Sequence, residues 1–202
     1  MITALFGGSF DPVHKGHINA VNCLLQSGIS PDRVIIMPAY VNPFKAENSR
    51  KGRADCSQRL EMCRIAFADI PKCTVSDFEI KKGTVSYTAE TLEYLRKIYP
   101  NDRLILTVGS DSLASLPRWY RFGDIIGMAD IAAVSRSREE TDRIYGYSEV
   151  ITKAGGRVTI IDADPFEISS TEIREKIVNN QDISCYMDKN VVEYIMCNSV
   201  YR

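Results

Sequence analysis

The most chemically distinctive residues of this sequence begin at Gly7, in the run Gly-Gly-Ser-Phe-Asp-Pro-Val-His-Lys-Gly-His. Glycines let a backbone approach a ligand closely, and a helix N-terminus presents free N–H groups to an anion. His14 and His17 are the only histidines of the chain, and at helical spacing they share one face. The run therefore predicts a phosphate-binding turn. Two alternatives stay open: histidines that only cap or pack, and a zinc pair, for which the spacing supplies no third ligand.

A second polar run, Ile-Ser-Ser-Thr-Glu-Ile-Arg, occupies residues 168–174 near the C-terminus. Ser169 and Glu172 have the spacing of a capping box, which predicts that a helix begins here. A capping box does not account for three consecutive hydroxyls followed one turn later by Arg174. Hydroxyls and a guanidinium at a helix N-terminus are suited to binding a polyphosphate.

The elements that must position these residues alternate along the whole sequence. Strands are predicted at residues 2–6, 33–37, 74–80, 103–108, 130–135 and 157–161. Helices are predicted at residues 16–27, 55–68, 89–98, 120–127, 139–154, 171–178 and 189–197. This order predicts an α/β fold, a Rossmann-like doubly wound and mostly parallel sheet with helices on both faces. Residues 74–80 alternate apolar and polar side chains, which predicts an edge strand.

The predicted fold also indicates where a ligand binds. Ligands of open α/β sheets bind beyond the carboxyl ends of the strands, where the strand order reverses. Residues 7–17, 109–120 and 168–174 each follow a predicted strand, so we expect them to meet in one crevice. One domain over residues 1–202 is expected, with helices at about 171–197 covering the sheet.

The composition excludes several classes of protein. Hydrophobic residues make up 45% and charged residues 25% of the 202 residues, as in ordinary globular domains. The 25 lysines and arginines nearly balance 26 acidic residues, so neither nucleic acid nor an anionic membrane is expected as a partner. No apolar run could span a bilayer, no signal peptide is visible, and the six cysteines lack CxxC spacing. A cytoplasmic location with free thiols is therefore expected, while the oligomeric state is left open.

Both polar runs resemble motifs of the bacterial nucleotidyltransferases that contain an (H/T)xGH sequence. The run from Gly7 to His17 is similar to their first motif, and residues 168–174 are similar to their second motif, ISSTxxR. These enzymes join a nucleoside triphosphate to a phosphorylated acceptor and release pyrophosphate.

The middle of the chain resembles one family among them, nicotinate-nucleotide adenylyltransferase. Ser86-Tyr87-Thr88 followed by Thr91-Leu92 is similar to its SYTxxTL element. Residues 109–120 are similar to its GxDxLxxLxxWY block. The resemblance covers nearly the whole chain and implies transfer of AMP from ATP to nicotinate mononucleotide in NAD biosynthesis. Alternatives are a sister enzyme that uses nicotinamide mononucleotide or phosphopantetheine, and a non-catalytic nucleotide sensor.

The resemblance also implies roles for individual residues. His14, His17 and Arg174 are expected to be catalytic, with Mg²⁺ bound to ATP and held largely through water. The other residues expected to bind ATP are Gly8, Ser9, Phe10, Lys45, Ile168, Ser169, Ser170 and Thr171. The residues expected to bind the acceptor are Thr88, Gly109, Asp111, Trp119, Tyr120 and Arg136.

Two of the acceptor residues also have ordinary structural explanations. Trp119 can stack on a pyridine ring or anchor the core. Asp111 suits ribose hydroxyls or a metal-bound water, or it can cap the next helix.

One position departs from the family pattern. Where the family commonly has Pro-Pro-His-Lys, this chain has Asn-Pro-Phe-Lys. Phe44 thus replaces a histidine, while Lys45 remains as a candidate to donate a hydrogen bond to a phosphate. The stretch from Lys45 to Arg64 is rich in basic residues. It is predicted to be a mobile loop over the ATP site or a solvated face, rather than an RNA-binding patch, because no aromatic residues are interleaved with it.

Overall fold

Short apolar runs form the strands of one sheet. The computed structural model describes residues 1–43, 52–135, 138–162 and 168–202. The strands are β1 (Ile2–Gly8), β2 (Arg33–Pro38), β3 (Cys73–Val75), β4 (Arg103–Gly109), β5 (Ala129–Ser135) and β6 (Val158–Asp162). All neighbouring strands are parallel, in the order β3-β2-β1-β4-β5-β6. This is the Rossmann-like, doubly wound fold that the sequence predicts.

The strand order reverses between β1 and β4, at the centre of the sheet. The registers place Phe6 of β1 opposite Thr107 of β4, so the two strands end side by side. Because both strands are parallel, the loops that follow them open on the same edge. A ligand-binding crevice is expected at this point of the sheet.

Helices connect the strands and cover both faces of the sheet. Within the described ranges they are α1 (Lys15–Gln26), α2 (Cys56–Phe67), α3 (Phe78–Lys82), α4 (Thr88–Ile98), α5 (Ser110–Ser115), α6 (Phe122–Met128), α7 (Arg138–Lys153), α8 (Ser170–Val178) and α9 (Lys189–Cys197). A short 3₁₀ helix, Leu116–Arg118, joins α5 to α6.

The sheet separates two hydrophobic cores, because consecutive strand residues face opposite sides. The core on one side joins β1 to α1, α2, α8 and α9, and it includes Phe6, Val21, Met62, Ile173 and Ile195. The core on the other side joins β1 to α4, α5, α6 and α7, and it includes Leu5, Leu92, Leu113, Ile125 and Ile144. Side chains of the last two helices, α8 and α9, thus pack in the core on that side of the sheet.

The prediction of a strand at residues 74–80 is wrong beyond Val75. The strand is indeed at the sheet edge, but it ends after three residues, and α3 begins at Phe78. Phe78 stacks on Tyr94 of α4, with 3.7 Å between ring centroids and an angle of 8° between the planes. This contact with α4 removes Phe78 from the sheet. The alternation of apolar and polar residues in the segment does not predict such a contact.

All six cysteines lie in described parts of the chain, and each is a free thiol, as expected from their spacing. Burial raises the pKa of the Cys63 thiol far above its ordinary value, so this thiol is unreactive. Within the described ranges, none of the helices has the length and apolar character that crossing a bilayer requires.

Candidate active site

A cavity of about 550 Å³ opens at the carboxyl edge of the sheet, where the strand order reverses. The segments that follow β1 and β4 line it, together with the start of α8, so the predicted meeting of three segments is confirmed. The predicted site residues on its wall are Gly8, Ser9, Phe10, His14, His17, Thr88, Gly109, Asp111, Trp119, Tyr120, Ser169, Ser170, Thr171 and Arg174.

Three predicted site residues are not on the described wall. Ile168 is 7% exposed and packs in the hydrophobic core beside the cavity. Lys45 and Arg136 lie outside the described residues, as does Phe44 at the position that departs from the family pattern.

The two histidines lie at the start of α1, where backbone geometry orients the ring of His17. The N–H of His14 donates a hydrogen bond of 3.2 Å to Nδ1 of His17. Because an amide can only donate, Nδ1 must accept, and a neutral His17 therefore carries its proton on Nε2. Capping thus explains part of the arrangement, yet both rings also line the cavity. In the described ranges no cluster of three His, Cys, Asp or Glu side chains could hold a metal, so the zinc alternative lacks support.

Gly8 is required by the packing of Phe10. A Cβ atom at Gly8 would lie 2.9 Å from Cζ of Phe10, too close for a ring that is buried in the core. Phe10 itself has a φ of +47°, in the left-handed region. Its ring meets that of His17 with 5.0 Å between centroids. The Gly-rich turn therefore positions His17 through Phe10, in addition to presenting its backbone to the cavity.

The second polar run begins α8 as predicted. The hydroxyl of Ser169 accepts a hydrogen bond of 3.2 Å from the N–H of Glu172. The Glu172 carboxylate in turn accepts from the hydroxyl and the N–H of Ser169, and these bonds lower its pKa. The hydroxyl of Ser170 donates to the carbonyl oxygen of Pro12 at 2.9 Å. The hydroxyl of Thr171 accepts a hydrogen bond of 3.0 Å from Nη2 of Arg174.

Asp11 is a structural centre of the site that the sequence did not identify. Its side chain is buried, and its carboxylate accepts hydrogen bonds from the N–H of Ala54 at 3.1 Å and from Nη1 of Arg53 at 3.2 Å. Its carbonyl oxygen accepts from Nη1 of Arg174 at 2.5 Å. Asp11 thus connects the first motif, the start of α2 and the second motif. Its place inside the first motif was visible, but its partners are distant in sequence.

The C-terminal end of the chain contacts the same cluster. Tyr201 is 6% exposed, and its pKa is raised by burial first and by the negative charge of Asp11 second. The phenol therefore stays neutral beside the carboxylate at physiological pH.

Two arginines of the basic stretch behave differently from either predicted form, whereas Arg64 is exposed, as a solvated face predicts. Arg59 is 6% exposed and donates to the carbonyl oxygens of Ser9, at 2.7 Å, and Tyr40, at 3.2 Å. Arg53 is half-buried, pairs with Asp11 at 3.2 Å and lines the cavity. The prediction of a solvated or mobile basic face is therefore wrong for these two arginines, whose guanidinium groups bind the Gly-rich turn. Arg50 and Lys51 lie outside the described residues.

The other end of the cavity is aromatic. Trp119 is half-buried against the core and donates from Nε1 to the hydroxyl of Ser115 at 3.1 Å, while it also lines the cavity. The rings of Tyr87 and Tyr120 lie 4.7 Å apart between centroids. Trp119 thus combines the two predicted possibilities, a core contact and a surface for a ligand ring.

Two acidic residues face this end of the cavity. Asp111 is exposed in the first turn of α5, whose N-cap is Gly109, so the alternative that Asp111 caps the helix is wrong. Glu79 was missed, because the sequence predicts its segment as a strand. Its carboxyl is buried on the cavity wall and accepts a hydrogen bond of 2.5 Å from the hydroxyl of Thr91. Burial is the main cause that raises its pKa.

The N-terminus of α4 lines the cavity at this end of the site, through Tyr87 and Thr88. Thr88 is the first residue of α4, and Tyr87 at the N-cap makes no side-chain hydrogen bond to it in the described structure. The first N–H groups of a helix lack intrahelical partners, so they can donate to an anion. The cavity is therefore lined by the N-termini of α4 and α8, with an aromatic wall beside α4.

Comparison with known proteins identifies relatives along the whole chain. Residues 5–176 match the family model described as cytidylyltransferase-like. The chain is 37% identical over 199 residues to a protein of Methylacidiphilum infernorum named probable nicotinate-nucleotide adenylyltransferase, covering 98% of this chain and 91% of that protein. It is 37% identical over 203 residues to the protein of the same name from Roseiflexus castenholzii, covering 99% of this chain and 98% of that protein.

A solved structure has the same fold at lower sequence identity. The Plasmodium falciparum nicotinic acid mononucleotide adenylyltransferase complexed with NaAD superposes with a TM-score of 0.78. The two sequences are 18% identical, and the match covers 99% of this chain and 97% of that one.

Proposed function

Because this chain belongs to the nicotinate-nucleotide adenylyltransferase family, within the cytidylyltransferase-like proteins, we propose that it transfers the adenylyl group of ATP to nicotinate mononucleotide. The products are nicotinate adenine dinucleotide and pyrophosphate. One observation carries the proposal: a single cavity joins the histidine turn and the start of α8 to Trp119 and the start of α4. Such a cavity can hold a triphosphate at one end and a ring with an anionic substituent at the other.

The chemistry requires positioning more than acid–base catalysis. The acceptor is a phosphate monoester that is mostly dianionic at neutral pH, so its oxygen is already a nucleophile. This oxygen forms a bond to the α-phosphorus of ATP, and the bond from that phosphorus to the bridging oxygen of the β-phosphate breaks. Pyrophosphate leaves with the electron pair. The protein must hold the two substrates in line and supply positive charge or hydrogen-bond donors to the phosphate oxygens.

His17 is suited to donate to the phosphorus being transferred. Its Nε2 carries the proton in the neutral ring, since the backbone of His14 occupies Nδ1. His14 lies against it with 3.8 Å between ring centroids and also faces the cavity. We assign both histidines to the ATP phosphates, with the charge that develops at the α-phosphate assigned to His17.

Arg174 and the start of α8 suit the leaving pyrophosphate. The guanidinium lies at the cavity wall with its direction fixed by the Asp11 carbonyl and the Thr171 hydroxyl. A held guanidinium binds phosphate oxygens without a large loss of side-chain freedom. Thr171 and the first amides of α8 can add donors to the same phosphates.

The residues present fit Mg²⁺ that enters as its ATP complex. Mg²⁺ keeps several waters and binds through one or two carboxylates together with substrate phosphates. Asp111 is an exposed carboxylate on the cavity wall, whereas the Asp11 carboxylate is already bonded to Arg53 and Ala54. Asp111 is therefore the residue proposed to reach the ion, directly or through water. When bound, the ion neutralises negative charge on the phosphates.

The aromatic end suits the nicotinate moiety. Trp119 offers a ring face on which a pyridine can stack. The amides at Thr88 and Tyr120 are proposed to donate to the nicotinate carboxylate, because both residues line this end. Asp111 is also near enough in the cavity to serve the ribose hydroxyls of the acceptor.

The experiment that tests this proposal measures pyrophosphate release by the purified chain. ATP and Mg²⁺ are supplied with nicotinate mononucleotide, nicotinamide mononucleotide or 4′-phosphopantetheine in separate reactions. We expect turnover with nicotinate mononucleotide and formation of nicotinate adenine dinucleotide. Preference for one of the other acceptors would replace the proposal with a sister activity, and ATP binding without turnover on any acceptor would favour a sensor.

A further inference from the structure

A buried carboxyl on the acceptor side of the cavity connects two residues on either side of Thr88. The hydroxyl of Thr91 donates to Oε1 of Glu79 at 2.5 Å, and the hydroxyl of Ser86 also bonds this carboxyl. Glu79 is 7% exposed, and Thr91 is 1% exposed. A carboxylate that is removed from water needs such donors, so these bonds are expected to persist in solution.

Ser86 extends the connection to the strand edge. Its hydroxyl oxygen accepts a hydrogen bond of 2.9 Å from the N–H of Tyr40, which leaves its proton to be donated to Glu79. Its N–H donates to the carbonyl oxygen of Val41, also at 2.9 Å. The segment before Thr88 is thus fixed to the chain that follows β2, and Thr91 fixes the segment after it.

We infer that Glu79 is a positioning residue for the acceptor pocket, which holds the first turn of α4 so that the Thr88 amide meets the acceptor carboxylate. This inference rests on the proposed function and specifies how the acceptor end of that site is built. The N–H of Thr88 is a backbone group, so it cannot reorient independently of the backbone around it. Its position depends on the turn around it, and Glu79 bonds that turn at both ends.

Within the described parts of the chain, two charged groups act on Glu79. They are Lys82 on α3 and Glu90 on α4, which form an ion pair with each other. Thr91 and Ser86 are the uncharged partners on α4 and on the loop before it. Because Lys82 and Glu90 offset one another, the hydrogen bonds rather than a salt bridge hold the Glu79 carboxyl in place.

The test is a comparison of KM values in the steady state. Glu79→Ala removes both bonds and is expected to raise the KM for nicotinate mononucleotide by about tenfold or more, since small displacements of a binding group are costly. The KM for ATP is expected to stay within about twofold, because the hydrogen bonds of Glu79 hold α4 and the segment before it, whereas ATP is assigned to the histidine turn and α8. The preference for nicotinate over nicotinamide mononucleotide should fall in the same variant.

Conservative variants separate positioning from general damage. Glu79→Gln keeps a side-chain oxygen that can accept a hydrogen bond from Thr91, and its NH₂ group can donate to the hydroxyl oxygen of Ser86. This variant should therefore keep the acceptor KM within about threefold of the wild type. Thr91→Val removes one of the two bonds without altering the cavity wall, and should raise the acceptor KM alone. Lys97→Gln removes a charge from the exposed last turn of α4 and should leave both KM values unchanged.

The outcomes distinguish the inference from the function on which it rests. If the wild-type protein does not use nicotinate mononucleotide, the proposed function is wrong. If the wild type uses it and the Glu79 and Thr91 variants raise both KM values equally, or neither, the positioning role is wrong. Should Glu79→Ala fail to fold, Thr91→Val and Glu79→Gln decide the same question.

Discussion

The carbonyl oxygen of Asp11 accepts a hydrogen bond of 2.5 Å from Nη1 of Arg174, across 163 positions of sequence. The bond joins the two polar runs that the sequence analysis singled out as separate features. Nη2 of the same guanidinium donates to Thr171 at 3.0 Å. Arg174 therefore serves two purposes: it ties α8 to the Gly-rich turn, and it presents a fixed positive charge to the cavity.

Arg174→Ala is expected to weaken ATP binding more than acceptor binding. A lost charge-assisted hydrogen bond corresponds to about 1.5–3 kcal/mol, so the KM for ATP should rise by about 10–100-fold. Arg174→Lys keeps the charge but cannot contact Asp11 and Thr171 together. Its KM for ATP should therefore lie between those of the wild type and Arg174→Ala. Initial rates at varied ATP and varied acceptor provide the measurement. A rise in the acceptor KM with an unchanged ATP KM would contradict the assignment.

His17→Ala is expected to lower kcat. If Nε2 donates to the phosphoryl group in the transition state, its removal should lower kcat by about 10²–10³-fold. His17→Gln retains a side-chain amide donor and should lose less activity. Thermal unfolding of both variants provides the control for folding. Near-normal kcat in a folded His17→Ala protein would exclude the role.

Much of the site could be predicted because its signals are local. The Gly-rich run, the histidine spacing and the capping box at Ser169 each involve neighbouring residues, and the structure has both helix starts at these positions. The order of strands and helices was likewise enough to predict the parallel sheet and its carboxyl edge. The meeting of three segments at that edge follows from geometry common to such sheets.

The residues that were missed depend on contacts between distant segments. Asp11 lies in the first motif, but its structural role depends on hydrogen bonds with Arg53, Ala54 and Arg174. Only the folded chain brings these three residues next to it. Arg59 was grouped with surface charges, although it is buried beneath Ser9. Glu79 was assigned to a strand, because the stacking of Phe78 on Tyr94 leaves no mark on the local pattern.

Thr107→Val is expected to stabilise the protein. The Thr107 hydroxyl is buried in β4 and has no hydrogen-bond partner in the described structure. Valine has nearly the same shape and removes the unpaired group, so the free energy of unfolding should rise by about 1 kcal/mol, or about 2–4 °C in Tm. Thr91→Val is the matched control, because its hydroxyl has a partner and its loss should lower Tm. A lower Tm for Thr107→Val would show that this hydroxyl is bonded.

Glu79 should make stability depend on pH in a predictable direction. Burial raises its pKa in the folded state above the ordinary value of 4.5. The folded protein therefore binds this proton more tightly than the unfolded chain, and the resulting stabilisation is complete below about pH 4.5. It is lost as pH rises through the folded-state pKa. Relative to the wild type, Glu79→Gln should gain stability as pH increases from about 4.5 to 8, measured by thermal unfolding at each pH. A difference in Tm that stays constant over this range would contradict the raised pKa.

Trp119→Ala should weaken every pyridine acceptor by a similar factor. Stacking acts on the face of the ring and is nearly independent of whether the substituent is a carboxylate or an amide. We expect the KM for nicotinate and nicotinamide mononucleotides to rise together by about tenfold, with the KM for ATP little changed. Trp119→Phe keeps an aromatic face and loses the hydrogen bond from Nε1 to Ser115, so it should retain most of the affinity. The ratio of the two acceptor efficiencies should stay constant in both variants, because selectivity is assigned to the amides at Thr88 and Tyr120. If Trp119→Ala instead abolishes the preference for the acid, Trp119 itself must orient the carboxylate, and the proposed division between stacking and charge recognition is wrong.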